Sequence, residues 1–342
     1  MGDGSALEQK KLLEVKNLEV SFFDRQVEIP AIKKISYTVR ESEVLGIVGE
    51  SGSGKSVSSL SILKLLPGNG KIKGGEIWFE GKDIVKMSPK QMAEIRGNQI
   101  SMIFQDPMTS LDPLFTIGYQ IDESLRKHTS LDHRQRRQRI LDLLQMVGIS
   151  QPEKRMKEYP HQFSGGMRQR VMIATALSCN PKLLIADEPT TALDVTIQAQ
   201  IIDLLKELKN RINMSIIFIT HDLGVVSDIC DRIIVLYAGE IMESGSKRDI
   251  FYRYAHPYTE GLLASVPKID QNRKEDLIPI EGNPPNMLTL GEECPFAPRC
   301  RYAMSICARK KPPLFTVGEG HQASCWRCCP EEKGTGKDMG KS

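Results

Sequence analysis

Gly49-Glu50-Ser51-Gly52-Ser53-Gly54-Lys55-Ser56 follows a compact apolar run at residues 43–48 and precedes a helical pattern at 56–66. The stretch fits G-x-x-x-x-G-K-[ST] and stands where that motif requires, between a strand and a helix. Glycines at 49, 52 and 54, with Ser51 and Ser53 between them, let the backbone close around phosphate oxygens. Backbone N–H groups and the helix N-terminus then face the negative charge. Lys55 is placed for the β- and γ-phosphates and Ser56 for Mg²⁺. A Gly/Ser loop without a ligand is the bland alternative, and the Lys-Ser pair with both flanking elements in place argues against it. The motif alone predicts an α/β protein that binds a nucleoside triphosphate, a very large class.

A second element narrows the chemistry. In Leu183-Leu184-Ile185-Ala186-Asp187-Glu188 an apolar strand ends in two adjacent carboxylates, an arrangement that is costly unless they meet a cation or a proton-transfer role. Asp187 is placed to hold the Mg²⁺ shell. Glu188 is the candidate general base for the water that attacks the γ-phosphate. An Asp-Glu pair at a strand end is more often a solvated turn; the phosphate loop upstream gives it a function here.

The rest of the chain is read outward from these two runs. Residues 13–22 and 31–40 form two short strands around a polar, Pro-containing turn, and 73–79 a further strand closed by Gly81. Residues 108–166 are mostly helical and charged, as in a helical insertion. Short apolar runs at 183–186 and 215–220 read as buried parallel strands. Residues 233–237 and 239–244 form a hairpin around Ala238-Gly239. No internal repeat occurs, so the chain carries one copy of the nucleotide-binding unit.

Bulk composition sets limits. The charge count, 46 basic against 43 acidic residues, leaves +3, too close to balance to favour nucleic acid as a partner. The longest apolar runs fall far short of the roughly 18 residues of a membrane-spanning helix. The first residues, Met1-Gly2-Asp3-Gly4-Ser5, lack the basic-then-apolar pattern of a secretory signal. A membrane role is therefore expected to run through partners, from the cytoplasmic face.

Phe163-Ser164-Gly165-Gly166-Met167-Arg168-Gln169-Arg170 resembles the signature of ABC ATPases, with Met167 where many members have Gln. Ser-Gly-Gly at a helix start is itself an anion-binding N-terminus. The resemblance implies ATP as the nucleotide, with Ser164, Gly165 and Gly166 capping an ATP held by the phosphate loop of a partner subunit. Gln105, in Phe104-Gln105-Asp106-Pro107, looks like the glutamine that senses the γ-phosphate, joins the Mg²⁺ shell and faces a permease. Asp194, in Thr191-Ala192-Leu193-Asp194, resembles the loop that crosses the dimer interface. His221 looks like the switch histidine, and Phe22 like the aromatic that stacks on adenine, with Phe23 as the alternative. One departure is Ser42-Glu43, where Gly-Glu commonly precedes the strand. The implied fold is the ABC type of P-loop NTPase over residues 1–265, with an antiparallel β subdomain and a helical insertion at about 106–170.

Two further runs narrow the resemblance. Gln105-Asp106-Pro107-Met108-Thr109-Ser110-Leu111-Asp112-Pro113 is similar to dipeptide and oligopeptide importer ATPases. His256-Pro257-Tyr258-Thr259 with Gly282-Asn283-Pro284-Pro285 looks like the C-terminal extension of that group, here 266–335, before a disordered tail at 336–342. The form Ser-Gly-Gly-Met-Arg-Gln-Arg resembles the D-type subunit. The family then implies a distinct F-type ATPase in a heterodimer, two transmembrane permease subunits and an extracytoplasmic solute-binding protein. Nickel and metallophore importers share the extension and stay open as an alternative, as does a soluble ABC ATPase outside transport.

Of eight cysteines, Cys179 and Cys230 stand apart while six crowd the extension. Without an export signal such clustering reads as metal or redox chemistry. Cys294-x₅-Cys300-x₆-Cys307-x₁₇-Cys325 offers four thiolates for zinc or a [4Fe–4S] cluster. These four resemble the iron–sulfur ligands of peptide-importer ATPases, so the cluster is the expectation, with zinc and free thiols as alternatives. Cys328 and Cys329 are unassigned.

Overall fold

A computed structural model describes residues 10–25, 27–106, 110–191, 194–265 and 279–330. Its spine is an eight-stranded sheet whose strands lie side by side in the order Phe315–Gly318 (β11), His321–Ala323 (β12), Glu240–Ser246 (β10), Arg232–Tyr237 (β9), Val44–Val48 (β3), Ser215–Thr220 (β8), Leu183–Asp187 (β7) and Ile100–Ile103 (β6). Strands β6 (Ile100–Ile103), β7 (Leu183–Asp187), β8 (Ser215–Thr220), β3 (Val44–Val48) and β9 (Arg232–Tyr237) run parallel. Every residue of β3, β7 and β8 is buried, which explains why these strands read as unbroken apolar runs rather than alternating ones.

The pleat divides the sheet between two cores. Leu184, Ala186, Ile216 and Phe218 face a cluster shared with the helices Ile117–His128, His133–Met146 and Gly165–Ala176. Leu183, Ile185, Ile217 and Ile219 face the other cluster, with Val20, Ile35, Ile77 and Phe79. That second layer is a four-stranded antiparallel sheet, β2-β1-β4-β5, formed by β1 (Lys11–Asp24), β2 (Val27–Arg40), β4 (Gly70–Phe79) and β5 (Lys82–Asp83). Each fully buried Leu or Ile contributes about 1.5–3 kcal/mol relative to exposure, so the two faces together fix the height of every strand end.

The first hairpin is longer than its sequence pattern suggests. Pro30 lies inside β2, paired with Ser21, rather than in the turn. It is tolerated because β2 is an edge strand and needs no ladder donor on its outer side. Ser42 has φ 59°, a left-handed value that a glycine would adopt without the cost of a Cβ.

The chain beyond residue 278 returns to the main sheet. β12 (His321–Ala323) pairs antiparallel with β10 (Glu240–Ser246), and β11 (Phe315–Gly318) pairs with β12. These two strands had no clear signal in the sequence. A fully buried carboxylate, Glu243, clasps the junction: it accepts from the backbone N–H groups of Ala255 (2.6 Å) and His256 (3.0 Å) and bonds His321 Nε2 (2.7 Å). The expected tail at 336–342 and most of the expected boundary at 266 lie outside the described residues. Among the described residues, no helix is long and apolar enough to cross a membrane.

Candidate active site

Residues 49–56 form a loop from the end of β3 into the helix Lys55–Ile62. Two glycines are demanded by crowding. At Gly49 (φ +152°) an added Cβ would lie 2.1 Å from the Leu236 carbonyl oxygen, and at Gly54 (φ +102°) 2.6 Å from Ile32 Cδ1. Lys55 folds over the loop, and its Nζ donates to the carbonyls of Gly49 (2.7 Å) and Glu50 (3.0 Å). Burial lowers the Lys55 pKa, an effect opposed by the carboxylates of Glu188, Asp187 and Glu50. The Ser53 hydroxyl is buried without a partner among the described residues, a donor left for an incoming oxygen.

The paired carboxylates at the end of β7 take up different roles. Ser56 Oγ donates to Asp187 Oδ1 at 3.0 Å. Burial raises the Asp187 pKa, with the Ser56 bond working against it. A half-buried hydroxyl–carboxylate pair next to the loop fits a hard divalent cation, which takes oxygen ligands. Glu188 turns away in a left-handed conformation, φ 46°, a strained geometry for a residue with a Cβ. Its Oε2 accepts from Gln105 Nε2 (3.0 Å) and Thr191 Oγ1 (2.9 Å), while Oε1 lies 3.3 Å from His221 Nδ1. The three residues expected to act on the γ-phosphate thus meet at one carboxylate. The sequence assigns Thr191 no part, because a hydroxyl three residues after the carboxylate gives no signal until the turn is known.

The remaining candidates lie elsewhere on the chain. Ser164 caps the helix Gly165–Ala176, accepting from Met167 N–H at 3.4 Å. At Gly165 an added Cβ would meet nothing within 4 Å, whereas at Gly166 it would press on Ile197 at 3.1 Å. Asp194 caps the helix Val195–Ile212 through Ile197 N–H at 2.9 Å. Among the described residues, none of Ser164, Gly165, Gly166 and Asp194 bonds to residues 49–56. The helix Gly165–Ala176 is nonetheless tied to the turn after β7: buried Gln169 donates to the Pro189 carbonyl at 2.6 Å, a link that sequence reading missed. Phe22 is half-buried against Gly70, where a Cβ would approach its ring to 2.9 Å. Its neighbour Phe23 is engaged by the Lys71 and Lys73 ammonium groups, 5.4 and 5.3 Å from the ring centroid.

Cys294, Cys300, Cys307 and Cys325 line one small cavity, together with His256, Phe296 and Trp326. They influence one another. Burial raises Cys294 to about 11, with Cys307 and Cys325 adding to the shift, and burial likewise raises Cys300. Cys325 is raised by a bond with Cys328 and by burial. The expected four-thiolate site is therefore gathered only as a cavity wall. Among the described residues, no three His, Cys, Asp or Glu side chains converge as they would on a single metal ion.

Comparison with known proteins places both halves of this arrangement. A family profile described as ABC transporter matches residues 32–191, and one described as oligopeptide/dipeptide transporter, C-terminal region, matches 242–307. The oligopeptide transport ATP-binding protein OppD of Bacillus subtilis is 52% identical over 322 residues, 94% of this chain and 90% of that protein. OppD of Salmonella typhimurium is 51% identical over 316 residues, 92% of this chain and 93% of that protein. Among solved structures, the ATP-binding cassette MJ0796, a dimer in a post-hydrolysis state bound to ADP and Pi, superposes with a TM-score of 0.62 at 31% identity. It covers 69% of this chain and 99% of its own.

Proposed function

The chain belongs to the ABC transporter ATP-binding proteins, in the group with the oligopeptide/dipeptide C-terminal region, and from that membership we propose that it drives uptake of peptides by hydrolysing ATP for a membrane permease. The observation that carries the chemistry is the Glu188 carboxylate, held by Gln105, Thr191 and His221 beside the Ser56–Asp187 pair. Lys55 and the loop N–H groups bind the β- and γ-phosphates, and Phe22 packs on the adenine. Glu188 orients and deprotonates the attacking water, while Gln105 and His221 report the γ-phosphate. Ser56, Asp187 and Gln105 would hold Mg²⁺, which supplies charge neutralisation at the phosphates when bound.

Among the described residues, Ser164, Gly165 and Gly166 make no bond to the phosphate loop of their own chain, and Gly165 is open to solvent. An anion-binding helix start that stands apart from the phosphate loop of its own subunit suits a nucleotide shared with a second ATPase. The dimer of MJ0796 with its bound ADP and Pi supports that reading. The second ATPase is read as the distinct F-type subunit, with Asp194 at the interface, at the cytoplasmic face of the membrane. Two permease subunits and an external solute-binding protein complete the assembly.

Cys294, Cys300, Cys307 and Cys325 are the residues that would hold a [4Fe–4S] cluster. The reading rests on the cysteine pattern and on the cavity wall that the four thiols share, with zinc and free thiols as the alternatives. Bound there, a cluster would supply a crosslink for the extension, and no step of hydrolysis is assigned to it.

The test is reconstitution of this chain with its permeases and second ATPase in vesicles that carry the solute-binding protein. Peptide-dependent ATP hydrolysis and peptide accumulation, both lost in Glu188→Gln, are expected. Hydrolysis indifferent to peptides and stimulated by a metal chelate instead would overturn the substrate class.

A further inference from the structure

The phosphate loop contains a residue at odds with its task. Glu50 is the second residue of an anion cradle, and its carboxylate is close enough to Lys55 to act on that residue's charge. Left free, it would repel phosphate and compete for the lysine. It is not free. Arg299, in the short 3₁₀ turn Ala297–Arg299 just before Cys300, grips it with both arms: Nη1 to Oε2 at 2.7 Å and Nη2 to Oε1 at 3.1 Å. This is the bidentate geometry in which guanidinium–carboxylate pairs are strongest.

The arginine is itself fully occupied. Its remaining donors reach the Tyr237 hydroxyl (3.2 Å), the Ile280 carbonyl (3.2 Å) and, through Nε, the Glu281 carbonyl (3.0 Å). Five N–H groups therefore meet five acceptors. The side chain is 5% exposed, and the guanidinium lies over the Tyr237 ring. The Glu50 backbone is held from the same side, its N–H donating to the Tyr258 hydroxyl at 2.9 Å. The Glu50 carbonyl in turn accepts from Lys55 Nζ. A continuous chain of bonds thus runs from the cysteine-bearing extension to the lysine of the phosphate loop.

We propose that Arg299 is a positioning residue for nucleotide binding: by sequestering the Glu50 carboxylate it lets the C-terminal extension set the affinity of the phosphate loop for ATP. The inference rests on residues 49–56 being the ATP site. It predicts that the extension is felt at the nucleotide without touching it, and that a change in the fold around Cys300 is transmitted through its neighbour Arg299.

Equilibrium binding of a fluorescent ATP analogue with Mg²⁺ to the full-length chain tests it. Arg299→Met is expected to bind about tenfold more weakly, because Glu50 is then an uncompensated charge. Adding Glu50→Gln to that variant is expected to restore affinity to within about threefold of the wild type. In the assembled transporter the KM for ATP should rise while kcat changes less than about twofold. Wild-type affinity in Arg299→Met overturns the proposal, and so does a loss that Glu50→Gln fails to recover. If Arg299→Met does not fold, Arg299→Gln, which removes the charge and keeps donors for the neighbouring carbonyls, is read by the same two criteria. Lys55→Ala is the control: undiminished binding there would sink the ATP-site reading instead.

Discussion

Residues 49–56 take their geometry from one contiguous run between a buried strand and a helix, whereas the four cysteines of the extension are brought to their cavity from separate turns. The first region is fixed by backbone. Gly49 and Gly54 adopt conformations that a Cβ would block, and Lys55 is pinned by two carbonyls of its own loop. The second is fixed by its surroundings: Phe296 packs among Tyr237, His256 and Tyr258, and Trp326 of the cavity wall packs edge-on against Phe315 of β11. A site built on backbone geometry is prepared for its ligand before the ligand arrives. A site built from side chains on short turns depends on whatever fills it. The two regions should therefore respond differently to substitution, and Arg299 is the point at which they touch.

The largest separation is expected from Glu188→Gln. Turnover of the assembled ATPase should fall about 10²–10⁴-fold with ATP affinity retained, measured as steady-state phosphate release beside equilibrium binding. Unchanged turnover would remove Glu188 from the role of base. Thr191→Val sharpens the same point. It deletes one of three bonds to the Glu188 carboxylate, and a fall in kcat of about threefold to tenfold with KM unchanged is expected. A rise in KM alone would make Thr191 part of the binding surface instead. Phe22→Ala should act on the other parameter, raising the KM for ATP by about threefold to tenfold through lost stacking. Phe23→Ala should do less, and the reverse order would reassign the adenine contact.

The cysteine cavity should give the smallest effect on catalysis and a clear one on composition. Cys307→Ser, in chain purified without oxygen, is expected to lose most of its iron and sulfide and to unfold at lower temperature. Its ATP hydrolysis should stay within about threefold of the wild type. Iron absent from both proteins would leave zinc or free thiols as the content of the cavity. Hydrolysis that collapsed with the iron would erase the contrast between the regions.

The difference also explains what could be read in advance. The strands β3, β7 and β8 were legible because burial on both faces writes an unbroken apolar run into the chain. Gln105 and His221 were named from a family pattern, and two bonds bring them to the Glu188 carboxylate. Thr191 and Gln169 escaped notice because their partners, Glu188 Oε2 and the Pro189 carbonyl, are set by a turn that residue types do not specify. β11 and β12 escaped for another reason. They are short, and they are strands only because β10 offers an edge and because Glu243 buries His321 against it. Cysteine spacing named donors and could not say how closely they approach. The Glu50–Arg299 pair, 249 positions apart, left no local trace of any kind.

The most direct test of the whole account is the structure of the Glu188→Gln chain assembled with its partner ATPase and permeases in Mg-ATP. Each triphosphate is predicted to lie between Lys55 on one ATPase and the signature serine and glycines on the other, with Ser164, Gly165 and Gly166 of this chain covering the partner's nucleotide. A triphosphate contacted by one subunit alone, with Ser164 left in solvent, would contradict it.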